Sequence, residues 1–264
     1  MRRGIALVGG MNLDIKGVPE NELILGNSNP GRVSFSPGGV ARNIAENLAL
    51  LELPVTLFSA AGFDPFGDLL IKQTSASGAD MSRILRTPGP TGIYLSLVDK
   101  AGNLAAALSH MEASESIKPE YLEKHRDLLK DSIFMAADAN IPQESLEFLG
   151  SLASEEGIPY LIEPVSIQKG RKIRELSCPI TFITPNRVEF EDLTGSTELS
   201  GASLSALPKV QNAVVTLGAE GAVLLSVKAP PLKVPAFPAV PVDPNGAGDA
   251  FTAGFIYALV TGKY

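Results

Sequence analysis

The chain has no tryptophan, one cysteine and two histidines among its 264 residues, and each scarcity removes a class of chemistry. A lone Cys178 allows no internal disulfide and fits a reducing cytoplasm. His110 and His125 lie apart in sequence, so a zinc centre built from nitrogen and sulfur ligands is not expected. No apolar run approaches the ~20 residues needed to cross a bilayer. Met1-Arg2-Arg3 ahead of Gly4-Ile5-Ala6-Leu7-Val8 imitates a secretory leader, but Asn12 and Asp14 interrupt it and no cleavage site follows. Basic residues are in deficit, 22 against 29 acidic ones, and the net charge is −7. Neither nucleic acid nor an anionic membrane surface is therefore expected as a partner, whereas a small phosphorylated ligand answers to the local field. There is no G-x-x-x-x-G-K-[ST] loop for a Walker-type nucleotide site. Nor does a G-x-G-x-x-G follow the first strand, which leaves a Rossmann dehydrogenase a distant reading.

What is present describes a large α/β core. Apolar residues make up 45% of the chain and charged ones 19%, enough for a single domain over 1–264. Gly4 to Val8 is a short continuous apolar strand ending in Gly9-Gly10, as in a buried parallel sheet. Asn12 and Asp14 follow it, at the carboxyl edge where open α/β sheets bind ligands. Taken alone, Asp14 reads equally as a loop aspartate closing its own turn. Val18–Phe35 is rich in Asn, Pro and Gly, with brief extended pieces at Leu23-Ile24-Leu25 and Arg32–Phe35. Thr91–Asp99 turns through Lys100-Ala101-Gly102-Asn103 into Leu104–Leu108, a hairpin signal. The two excursions, at about 15–36 and 91–110, predict a small sheet beside the main one. Pro37-Gly38-Gly39 opens a helix whose stripe is Val40, Ile44, Leu48 and Leu51, with Asn43 off that stripe. Strands at Val55–Ala60, Ser132–Ala137, Pro159–Ile162, Ile180–Ile183, Ala213–Leu217 and Ala222–Val227 alternate with helical segments. That alternation predicts a doubly wound, mostly parallel sheet. Pro230, Pro231, Pro235, Pro238 and Pro241 mark irregular or edge structure.

The stretch that organises the rest is Asp243-Pro244-Asn245-Gly246-Ala247-Gly248-Asp249-Ala250-Phe251-Thr252-Ala253-Gly254. Gly246 and Gly248 let the backbone aim several N–H groups one way at a helix start, which favours an anion. Asp249 sits in the first turn beside that anion. A cradle for a phosphoryl group with a carboxylate at its lip suits phosphoryl transfer to a hydroxyl. The same residues also fit an ordinary turn and an aspartate placed to favour the helix dipole.

Asp243-x-x-Gly246-Ala247-Gly248-Asp249 resembles the C-terminal signature of the ribokinase-like (PfkB) sugar and nucleoside kinases, and Gly38-Gly39-x-x-x-Asn43 resembles their N-terminal one. The resemblance implies that Asp249 is the base and that Gly246, Ala247 and Gly248 form the anion hole. It implies that Asn12, Asp14, Gly38, Gly39 and Asn43 hold the acceptor, and that the small sheet is a lid that often forms a homodimer interface. Thr184-Pro185-Asn186-Arg187-Val188-Glu189 reads either as a helix cap or as a pair placing Mg2+ through water near ATP phosphates, the latter implied by the family. Thr216-Leu217-Gly218-Ala219-Glu220-Gly221 is either a plain hairpin turn or the nucleotide-contacting turn, with Thr216, Gly218 and Gly221 as contacts. The resemblance also implies that Asp243 begins a loop for a monovalent cation such as K+. His125-Arg126-Asp127-Leu128 imitates a protein-kinase catalytic loop, but Ser132 stands where asparagine belongs and no Asp-Phe-Gly follows.

Within the family, Ser28-Asn29-Pro30-Gly31, the run Gly38–Leu51 and Ala137-Asp138-Ala139-Asn140-Ile141 are most similar to the pseudouridine kinase branch. That similarity implies ATP-dependent phosphorylation of a nucleoside 5′-hydroxyl, with Ser28, Asn29, Tyr94 and Asp138 on the acceptor side. Other sugar or nucleoside kinases of the family are the alternative, as is a catalytically silent nucleoside-binding protein. Three departures are expected to matter: Glu163-Pro164 where an aspartate is usual, a short Ser/Gly-rich Thr194–Lys209 segment, and a chain that stops at Tyr264 where relatives continue into the adenine pocket.

Overall fold

The structure is a computed structural model and describes residues 4–240 and 245–263. Its main sheet holds nine strands in the order β13 (Ala229–Val234), β12 (Ala222–Ser226), β11 (Val210–Thr216), β10 (Ile180–Ile183), β9 (Tyr160–Glu163), β8 (Ser132–Asp138), β1 (Gly4–Val8), β4 (Val55–Gly62) and β5 (Asp80–Thr87). Every pairing from β11 to β5 is parallel; β12 and β13 close one side antiparallel. A continuous apolar strand such as β1 is dictated by burial on both faces. Ala6 and Val8 pack with Phe58, Met135 and the Leu146, Leu149 and Leu152 side of the Gln143–Glu156 helix. Ile5 and Leu7 point the other way, onto Ile44 and Leu48 of the Val40–Leu50 helix and Ile256 of the Ala247–Thr261 helix. The layers are therefore helix, sheet, helix, as doubly wound alternation requires.

A second sheet holds β3 (Gly31–Gly38), β2 (Asn12–Pro19), β6 (Gly92–Val98) and β7 (Leu104–His110). Its two antiparallel hairpins are joined by a parallel β2–β6 pairing. Side chains alternate across a strand, so register sorts them into two faces. Asp14 lies opposite Ser36 and Tyr94, and Lys16 opposite Ser34 and Ser96, which makes one face polar. Ile15 lies opposite Phe35 and Leu95, and Leu95 opposite Leu108, which makes the other face apolar. This lid leaves the main sheet immediately after β1, so Asp14 is carried a few residues beyond the carboxyl edge.

Some local expectations are corrected. Leu23-Ile24-Leu25 is not extended strand: the Asn29 side chain grips Ile24, donating to its carbonyl and accepting from its N–H, both at 2.9 Å, and folds the stretch into a turn. Leu51 leaves the buried stripe; it caps its helix and is exposed. Edge strand β5 was not foreseen, because its Asp-Met-Ser-Arg-Ile-Leu-Arg-Thr sequence mixes charge into a strand open on one side.

Candidate active site

Gly10, Asp138, Glu163, Asn186 and Thr216 all lie at or just past the carboxyl ends of parallel strands, so the topology collects them along one edge. Asp138 ends β8 and is fully buried. Its carboxylate accepts from the N–H groups of Gly10 (2.9 Å), Ala41 (2.9 Å) and Asn140 (3.0 Å). The expected contact of Asp138 with an acceptor is thus corrected to an anchoring place: its oxygens tie β1, the Val40–Leu50 helix and the turn after β8 together.

The acceptor-side loop is built on close backbone approach. Gly39 caps the Val40–Leu50 helix at φ 99°, in the region that favours glycine, and a Cβ there would lie 2.7 Å from Met11 Cα. A Cβ on Gly38 would reach to 2.5 Å from the Asp14 carboxyl carbon. Asn12, buried, donates to Asp14 at 2.6 Å. Burial raises the Asp14 pKa, against the lowering effects of the Asn12 bond and the Arg42 charge. Tyr94 sits across the strand pair from Asp14 on the polar face of the lid. Ser28 and Asn29 do not share that place. They lie beyond the far end of the β2–β3 hairpin, and Asn29 spends its amide on its own loop, donating to Asn27 as well as Ile24.

The phosphate-side element is the Ala247–Thr261 helix, which starts at Gly246 with φ 75°. Gly246, Ala247 and Gly248 are exposed, and among the described residues nothing covers the space a Cβ would take at Gly246 or Gly248. The helix start thus presents its first N–H groups to an open face. Asp249 stands in the first turn and accepts 2.6 Å from the Asn43 amide, which joins the two glycine-rich loops directly. Burial raises the Asp249 pKa to about 6; the Asn43 bond and Arg42 oppose that rise, while Asp138 and Asp14 add to it.

Further along the same edge, Asn186 and Glu189 form a reciprocal cap. Asn186 Oδ1 accepts from the Glu189 N–H, and Glu189 Oε2 from the Asn186 N–H, each at 2.9 Å. The capping reading of this pair is realised, yet one face of it lines an open groove of ≈ 760 Å³ shared with Val165, Ser166, Thr216 and Gly218. Gly221 does not line that groove; with φ 100° it closes the β11–β12 hairpin, where a Cβ would lie 2.7 Å from Ala236 N. Asp243 lies outside the described residues. Among the described residues no group of three or more His, Cys, Asp or Glu could hold a metal ion directly. The residues do fit a magnesium ion that keeps most of its waters. Glu163 is half-buried and Glu189 buried, and the charge of Glu189, after desolvation itself, pushes the Glu163 pKa well above its ordinary value. A hydrated dication beside them would relieve that repulsion through oxygen ligands.

Glu163 was read from sequence only as a departure. Its Oε2 accepts from Val165 N–H at 2.6 Å, and Val165 takes φ 68°, a strained value for a β-branched residue. Arg42 and Lys169 were not singled out at all. Lys169 donates from its ammonium to the Asn140 side chain, and burial lowers its pKa. A flexible lysine on a four-residue helix leaves no periodic signal. His125-Arg126-Asp127 belongs elsewhere: His125 packs its ring against Phe58 and Tyr121, ahead of the amino end of β8.

Comparison with known proteins places this arrangement. The family model described as pfkB family carbohydrate kinase matches residues 2–264. The chain is 34% identical over 271 residues to the pseudouridine kinase of Escherichia coli K12, covering 98% of this chain and 84% of that protein. It is 26% identical to the ribokinase of Bacillus subtilis, over 99% of this chain and 87% of that one. A carbohydrate kinase from Agrobacterium tumefaciens superposes with a TM-score of 0.85 at 28% identity, over 99% of this chain and 85% of that structure. A family model spanning almost the whole chain and a ribokinase-like fold agree: the chain belongs to the pfkB family of carbohydrate kinases and is a phosphotransferase acting on a sugar or nucleoside hydroxyl.

Proposed function

We propose that this protein transfers the γ-phosphoryl group of ATP to the 5′-hydroxyl of pseudouridine, giving pseudouridine 5′-phosphate. The Asn43–Asp249 bond carries the catalytic part of the reading, because it sets the acceptor loop against the carboxylate at the phosphate-side helix start. The higher identity to a pseudouridine kinase than to a ribokinase supports the acceptor. In this reading Asp14, Asn12 and the Gly38-Gly39 loop orient the ribose so that its hydroxyl lies in line. Asp249 takes the hydroxyl proton, and the amides at Gly246–Gly248 stabilise charge on the phosphoryl oxygens. Thr216 and Gly218 line the nucleotide groove. A magnesium ion held through water by Glu189 and Glu163 supplies charge neutralisation when bound. Tyr94 and the serine row of the lid face the base. A cytoplasmic setting supplies ATP and keeps Cys178 reduced.

Release of ADP with ATP and magnesium, measured across pseudouridine, uridine, adenosine, ribose and fructose, tests this. Turnover is expected with pseudouridine above all. Preference for a free sugar would remove the nucleoside assignment, and binding of pseudouridine without turnover on any acceptor would favour a silent binding protein.

The same reading includes a homodimer formed through the apolar face of the lid. Phe35 is 60% exposed, Val33 62% and Leu108 72%, on a face with no polar row. Adjoining large apolar side chains on a monomer surface mark an interaction site. Light scattering is expected to give the mass of two chains, and Phe35→Asp with Leu108→Asp to halve it. A monomeric unmodified protein would refute the dimer.

A further inference from the structure

We infer that Arg42 is a positioning residue whose buried guanidinium fixes the Asn43 amide with its NH2 end towards Asp249 and ties that amide to the hinge of the lid. The inference rests on the reading of Asp249 as the base. Arg42 is only 2% exposed, in the first turn of the Val40–Leu50 helix. A buried guanidinium is costly unless every direction of its fork is satisfied. Here Nε donates to the Gly38 carbonyl at 2.9 Å, Nη1 to Glu46 Oε2 at 2.9 Å, and Nη2 to the Pro37 carbonyl at 3.2 Å and to Asn43 Oδ1.

A guanidinium has donors and no acceptor, so only the oxygen end of the Asn43 amide can face it. The NH2 end is then left for Asp249, where the bond measures 2.6 Å. Turning the amide over would set NH2 against the guanidinium and oxygen against carboxylate, unfavourable at both ends. Pro37 and Gly38 are the last residues of β3, beside the φ 99° glycine at which the lid meets the helix. One side chain thereby couples lid strand, acceptor loop and base. The charges of Asp138 and Asp14 raise the Asp249 pKa and that of Arg42 lowers it, while Lys169 is a second cation near Asp138.

The test compares Arg42→Met, Arg42→Lys, Asn43→Ala, the two double variants and Asp249→Asn, by kcat and by the pH profile of kcat/KM. Arg42→Met is expected to lower kcat about 10–100-fold through misplacement of the base, and to move the acid limb up by about one pH unit. Arg42→Lys restores charge without the fork, so the limb is expected to return while kcat stays low. Because Arg42 acts through Asn43, adding Arg42→Met to Asn43→Ala is expected to cost less than about 2-fold more. Additive losses, or an unmoved acid limb, would overturn the inference. Should Arg42→Met fail to fold, Arg42→Lys carries the same cycle. Full turnover by Asp249→Asn would instead refute the base reading, a separate outcome.

Discussion

Asp249→Asn is expected to lower kcat by ~10²–10⁴ with the fold retained, the usual worth of a positioned general base. The variant side chain keeps an oxygen that can accept from Asn43, so the 2.6 Å link between the two glycine loops has a replacement and stability is expected to change little. What it cannot do is take a proton. A base must be ionised, and the Asp249 pKa lies at about 6 because burial outweighs the Asn43 bond. The kcat/KM of the unmodified protein is therefore expected to be flat above that pH and to fall tenfold per unit well below it. The residual rate of Asp249→Asn is expected to lack that limb. ADP release measured from pH 5 to 8 in both proteins checks this. A limb that persists in the variant would move the base to another carboxylate, with Glu163, whose pKa is raised well above its ordinary value, the first to test.

Asp138→Ala is expected to be among the most destabilising single substitutions in the chain. It would leave the N–H groups of Gly10, Ala41 and Asn140 without their acceptor in a fully buried place. Each orphaned buried donor costs about 1–3 kcal/mol, so a loss of roughly 3–9 kcal/mol follows for the three. That is a large share of the ~5–15 kcal/mol by which a folded domain is stable. Asp138→Asn, which keeps one oxygen, is expected to lose less. Urea unfolding checks both: the midpoint should fall with the slope unchanged. An Asp138→Ala midpoint equal to the unmodified protein's would show that the carboxylate anchors nothing. A folded but inactive Asp138→Asn would show instead that the place of the Val40–Leu50 helix, which carries Arg42 and Asn43, depends on this acceptor.

Much of the architecture was legible without coordinates, for reasons that can be named. Short apolar runs such as Gly4–Val8 and Ile180–Ile183 have only one stable setting at that length, a strand covered on both faces. Gly39 and Gly246 announced helix starts because the backbone there needs φ of 99° and 75°. Where competing local hydrogen bonds decided conformation, the pattern failed. Leu23–Leu25 looks extended by composition, and the Asn29 amide turns it. Asn186 and Glu189 satisfy a capping box and a ligand pair with the same spacing; the cap is formed, and the same two residues line the open groove.

The sequence by itself determined the class of sheet, the two glycine-rich helix starts, and the aspartates Asp14 after the first strand and Asp249 in the signature, because these depend on neighbours within a few residues. Only the tertiary structure decided what those groups touch. Asn43 and Asp249 are 206 residues apart, and Asp138 reaches Gly10 across 128, so no local period records either bond. Arg42 is one charged letter in a helix until the fold buries it between the lid hinge and the base. Whether a polar side chain meets a ligand, a backbone N–H or another side chain is set by which strand ends the parallel order brings to one edge, and that order is a property of the whole chain.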